Sequence, residues 1–133
     1  MSEMVQQKLK YHQFWLFVGW SLVCLIIYSS LATSGMPPVA SMINDKVGHM
    51  IGYLVLMLWF LQIYQKKMSR WILAILLIAL GVCLEFLQGL GAVRMFEVAD
   101  MAANTSGVFL GWLLSLTGLD KTLAWFEQNV MHR

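Results

Sequence analysis

Four apolar stretches, residues 14–32, 47–64, 71–88 and 99–117, take up most of this 133-residue chain. Each is about 18–19 residues long, close to the roughly 20 an α-helix needs to cross a hydrocarbon core of about 30 Å. Chain composition agrees: 59% of residues are hydrophobic and 12% are charged, about half the usual charged share of a soluble domain. Trp15, Trp20, Trp59, Tyr64, Trp71 and Trp112 fall mostly toward the segment ends, where amphipathic rings favour the membrane interface. The expected fold is an all-α integral membrane protein, a single domain of four transmembrane helices with short, antiparallel connections. A net charge of +2 without a basic run gives no footing for nucleic acid.

Lys8 and Lys10 precede an apolar run here, as they would in a signal peptide. The run is longer than a typical h-region, and Leu31-Ala32-Thr33 makes a poor cleavage site, so a retained helix is expected. Cys24 and Cys83 fall deep within helices and are read as packing residues.

Orientation follows from the basic residues. Lys8, Lys10, Lys66, Lys67, Arg70, Lys121 and Arg133 all fall on one side of the predicted spans, seven of the nine Lys and Arg. The positive-inside rule assigns that side, and both termini, to the cytoplasm. Residues 120–131 read as a short amphipathic helix, with Leu123, Trp125 and Phe126 resting on the membrane surface.

The other two basic residues, Lys46 and Arg94, fall outside, and most of the polar side chains gather around them. Lys46, His49 and Tyr53 are spaced i, i+3 and i+7, on one helix face. Glu85 and Gln88 close the third segment. Asp100, Asn104, Gly107 and Gly111 form one stripe, with glycines that permit close helix approach. Glu85 lies about 21 Å along its helix from Trp71, at about 1.5 Å per residue, which brings three helices to one polar level. Caps and interface anchors account for Asp100 and Lys46 singly, but not for Glu85 and Gln88 facing the same layer. Glu97 is expected to cap the fourth helix, and Pro37-Pro38 to stiffen a loop over residues 33–44 that covers the cluster.

The ordered set Asp45-Lys46-x2-His49-x3-Tyr53, Glu85-x2-Gln88 and Arg94-x5-Asp100-x3-Asn104-x2-Gly107 resembles the VanZ-like family of small membrane proteins, over about half of the chain. The resemblance implies a bacterial cytoplasmic-membrane protein of a family named for teicoplanin resistance, and no single reaction.

Several chemistries are open to this set. A site for a lipid-linked or cell-wall precursor head group would use Lys46 and Arg94 on phosphate oxygens. His49 would serve as base or nucleophile, oriented by Asp100 or Glu85, with Glu85 as proton donor. Tyr53, Gln88 and Asn104 would contact the substrate. Two basic residues face four acids, Asp45, Glu85, Glu97 and Asp100, a formal balance of 2 − 4 = −2, which is awkward for an anion. The same residues can bind a head group without turnover, and oligomerisation stays open. They can also lock the helices through pairs such as Lys46 with Glu85 or Arg94 with Asp100. His49, Glu85 and Asp100 are acceptable metal ligands, but no tight ligand motif assigns a metal, and the cofactor is unknown.

Overall fold

The computed structural model describes residues 8–31, 40–91 and 96–131, with the side chains of 40–44 excepted. Among these residues the chain is all-helical: α1 (His12–Leu31), α2 (Ala40–Ile63), α3 (Lys67–Leu90), α4 (Val98–Ser115) and α5 (Thr122–Asn129), with a short 3-10 turn at Leu119–Lys121 before α5. Three of the helices are long and apolar enough to cross a membrane: α1, α3 and the part of α2 from Asp45 to Ile63. α4, at 18 residues, gives up part of its apolar length to Asp100, Asn104, Thr105 and Ser106.

Two helices start earlier than their apolar runs. α2 begins at Ala40 rather than near Asp45, so Asp45 and Lys46 lie within the helix and residues 40–44 are not loop. α3 begins at Lys67 rather than Trp71, which moves Lys67 and Arg70 from the turn into its first turns. Polar residues continue a helix beyond the slab that apolar content measures, because backbone hydrogen bonding does not stop at the interface. Residues 33–39 of the expected loop, with Pro37 and Pro38, lie outside the described residues.

α2 is the central element, packing against every other helix. Its residues Tyr53, Leu56, Met57, Phe60 and Leu61 are buried with Val23 of α1, Ala74 and Leu77 of α3 and Val108 of α4. The outward faces stay apolar: Phe17 and Tyr28 of α1 are 71% and 72% exposed, and Ile75 of α3 is 62% exposed. Helices apolar on both faces belong in lipid or a large interior. Cys24 and Cys83 are free thiols on these outer faces.

α2 and α4 run parallel in close contact. Lys46 meets Asp100, the Met50 carbonyl sits against Gly107, and the Leu54 carbonyl against Gly111. A Cβ at Gly111 would lie 2.8 Å from that carbonyl oxygen, and one at Gly107 would run into the Met50 oxygen. The expected small-residue stripe is therefore the α2–α4 interface itself.

The opposite end of the bundle is tied by polar contacts. α4 ends in tightened turns at Leu116, Thr117 and Gly118, and Gly118 takes a left-handed φ of 96° that turns the chain back beneath the helices. Arg70 then donates to Asp120 at 2.5 Å and to Ser115 Oγ at 3.0 Å. Glu127 of α5, 4% exposed, accepts from the backbone N–H of Lys10 at 2.7 Å, the N–H of Tyr11 at 2.9 Å and Trp15 Nε1 at 2.6 Å. A carboxylate from the C-terminal helix thus caps the start of α1, where N–H groups lack intrahelical acceptors. Leu123 does not rest on the membrane surface as expected. It is buried with Leu9, Trp15, Ile63 and Ala124, while Trp125 and Phe126 are exposed.

Candidate functional site

The polar layer lies at the end of the bundle where α2 and α4 begin and α3 ends. On α2, the helical repeat turns Lys46, His49 and Tyr53 toward α4. Lys46 Nζ donates to Glu97 Oε2 at 2.7 Å and to Asp100 Oδ1 at 2.9 Å. Glu97 in turn donates its backbone N–H to Glu85 Oε1 at 2.7 Å. One hydrogen-bonded chain thus runs from α3 through the residue before α4 and back to α2.

This corrects three expectations. Lys46 pairs with Glu97 and Asp100, not with Glu85. Glu97 takes the N-cap position of α4 without a side-chain cap; its carboxylate reaches Lys46 instead. Gln88 does not join the layer, because its side-chain N–H donates to the Ser30 carbonyl of α1 at 2.5 Å. At i+3 from Glu85, Gln88 is rotated far enough around α3 to face α1. Arg94 lies outside the described residues.

The catalytic candidates His49, Glu85 and Asp100 do fall in one layer. Glu85 is 1% and Asp100 4% exposed, and the His49 side chain is 11% exposed. His49 Nε2 stands 3.6 Å from Asp45 Oδ1, beyond hydrogen-bond range. Asp45, His49 and Asp100 each present a ligand atom, all within 4.8 Å of one another. Sequence spacing pointed to Glu85 as the third such ligand. Asp45 takes that place because it lies one turn from His49 on α2, whereas Glu85 is committed to the Glu97 N–H. The i, i+4 relation of Asp45 to His49 was the available signal.

One turn deeper lie Tyr53 and Asn104, 1% and 3% exposed. A Cβ at Gly81 of α3 would lie 3.1 Å from Asn104 Nδ2 and 3.4 Å from the Tyr53 hydroxyl, so the two side chains meet over that glycine. The Tyr53 hydroxyl and Asn104 Oδ1 are buried with no hydrogen-bond partner among the described residues. Buried polar atoms are nearly always satisfied, which marks this as a place that takes a polar guest.

Electrostatically the layer is acidic. Among the described residues, four carboxylates (Asp45, Glu85, Glu97 and Asp100) and one lysine, Lys46, belong to the layer. The arrangement can position an imidazole beside carboxylates for proton transfer, hold a cation, or donate and accept hydrogen bonds with a head group. In comparison with known proteins, no family model, curated protein or solved structure matches the chain.

Proposed function

We propose that this is a VanZ-like protein of the bacterial cytoplasmic membrane, crossing it four times with both termini in the cytoplasm. Its outward-facing polar site takes the head group of a membrane lipid or lipid-linked cell-wall precursor. The observation that carries this reading is the meeting of Lys46, His49, Tyr53, Glu85, Asp100 and Asn104 from three helices, at one end of a bundle with apolar outer faces. These six belong to the set on which the family resemblance rests, together with Asp45, Gln88, Arg94 and Gly107. As a fourth span, α4 is supported by its parallel contact with α2 and by the exposure of Phe109, Leu113 and Leu114: a bilayer holding α2 also surrounds α4.

Orientation has a direct test. With Cys24 and Cys83 replaced by serine, Val98→Cys should react with a membrane-impermeant maleimide on intact cells. Lys121→Cys should react only after permeabilisation, and the opposite pattern would invert the topology.

In catalysis, His49 would take a proton from the incoming nucleophile and buried Glu85 would return one to the leaving group. A second reading, binding without turnover, is favoured by His49, whose Nε2 stands 3.6 Å from Asp45 Oδ1, too far for the hydrogen bond that would orient it as a base. Native mass spectrometry of the detergent-purified protein separates these readings from a purely structural network. A specific anionic lipid or precursor adduct, lost in Lys46→Ala and Arg94→Ala, is expected. Equal adducts in all three proteins would sink the head-group site. With a ligand in hand, turnover abolished by His49→Ala would decide for the enzyme, and the cellular phenotype to score is teicoplanin susceptibility.

A further inference from the structure

Three side chains of the acidic polar layer present ligand atoms to one point. We propose that Asp45, His49 and Asp100 form a three-ligand site for a divalent transition-metal cation, with the remaining coordination positions open to water.

The donor set is suitable in chemistry and spacing. Imidazole nitrogen and carboxylate oxygen bind zinc-class cations at about 2.0–2.2 Å, which places tetrahedral ligands roughly 3.3 Å apart. The His49–Asp45 edge is 3.6 Å, and all three ligand atoms lie within 4.8 Å, so inward side-chain movement of about an ångström closes the site. The 3.6 Å separation is too long for a hydrogen bond between imidazole and carboxylate. Asp100 uses Oδ1 for Lys46, and a carboxylate retains further lone pairs for a cation. A dication would offset part of the excess of carboxylates in the layer.

The second observation lies one turn deeper. Tyr53 follows His49 by four residues on α2, and Asn104 follows Asp100 by four on α4. Helical side chains lean toward the N-terminus, and α2 and α4 both begin at the polar end. The Tyr53 hydroxyl and Asn104 Oδ1, buried without a hydrogen-bond partner among the described residues, lie one turn beneath the proposed ligands, where the two side chains meet over Gly81 of α3. Three protein ligands plus water is the open arrangement of reactive rather than structural metal sites.

This site is tested with the metal alone, separately from the head-group reading; a bound ion would occupy the His49 nitrogen, so the metal site and a base role for His49 are alternatives. The full-length protein in detergent is stripped with a chelator and titrated with Co²⁺, whose visible absorption reports coordination, followed by displacement with Zn²⁺. One Co²⁺ per chain is expected, with affinity lowered about 10–100-fold or more in Asp45→Asn and in His49→Ala. His12→Ala, at the other end of the bundle, should bind as the parent does. Asp45 is partly exposed, 31% by side chain, so Asp45→Asn should fold and carries the test if His49→Ala does not. Metal-free melting curves confirm which variants are folded. Absence of saturable binding below millimolar Co²⁺, or equal affinity in the parent and Asp45→Asn, overturns the site.

Discussion

Gly107→Ala should lower the melting temperature of the purified protein sharply, while Gly48→Ala, two residues before Met50 of the same α2–α4 contact but on the exposed face of α2, should leave it unchanged or raise it. The two glycines are both helical, but their surroundings are opposite. A methyl at Gly107 meets the Met50 carbonyl oxygen and, at 3.1 Å, Tyr53 Cβ. The first of these is backbone and cannot rotate away, so α2 and α4 must separate. Overpacking of this kind costs about 1–3 kcal/mol in well-packed cores, and the rigid partner argues for the upper end. At Gly48 nothing lies within 4 Å, and replacing a helical glycine by alanine gains about 0.5–1 kcal/mol of backbone entropy. Because Lys46 and Asp100 bridge the same two helices, Gly107→Ala should also lose any ligand that the polar layer holds. Equal melting of Gly107→Ala and the parent would show that α2 and α4 are not in close contact.

Glu127→Ala should release α5 from the start of α1. One buried carboxylate accepts two backbone N–H groups and the Trp15 indole, all within 2.9 Å. Hydrogen bonds to a charged acceptor contribute about 1.5–3 kcal/mol each, and removal leaves three donors without it. A loss on the order of 3 kcal/mol follows, less than the summed bonds because water reaches part of the interface. Glu127→Gln retains one carbonyl oxygen and should fall between. Limited proteolysis provides a second measure: the segment after Gly118 should become cleavable in Glu127→Ala before the bundle melts. If the tail stays protected, the burial of Leu123 and Ala124 rather than the carboxylate holds α5.

The features legible in the sequence are those that local periodicity carries. Asp100, Asn104, Gly107 and Gly111 are one stripe because the helical repeat makes them so, and a stripe with two glycines can only face another helix. Lys46, His49 and Tyr53 were placed together on the same grounds. Partner choice across helices was not legible. Lys46 has Glu85, Glu97 and Asp100 within plausible reach, and the choice depends on rotation of α3 by a fraction of a turn. Gln88 shows the same dependence: three residues after Glu85, it faces α1 and the Ser30 carbonyl. Apolar run length misplaced the helix starts, since α2 and α3 extend into polar sequence. Glu127 was invisible for a different reason. It is one acid in an amphipathic tail, and its partners lie 112 to 117 residues away.

That separation has a consequence for biogenesis. A chain made from its N-terminus at about 5–20 residues per second exposes the first amides of α1 roughly 5–25 s before Glu127 is synthesised. Through that interval α1, long and apolar enough to cross a membrane, lacks the Glu127 cap at its start. α5 thus completes α1, so maturation of the described bundle waits on the arrival of Glu127.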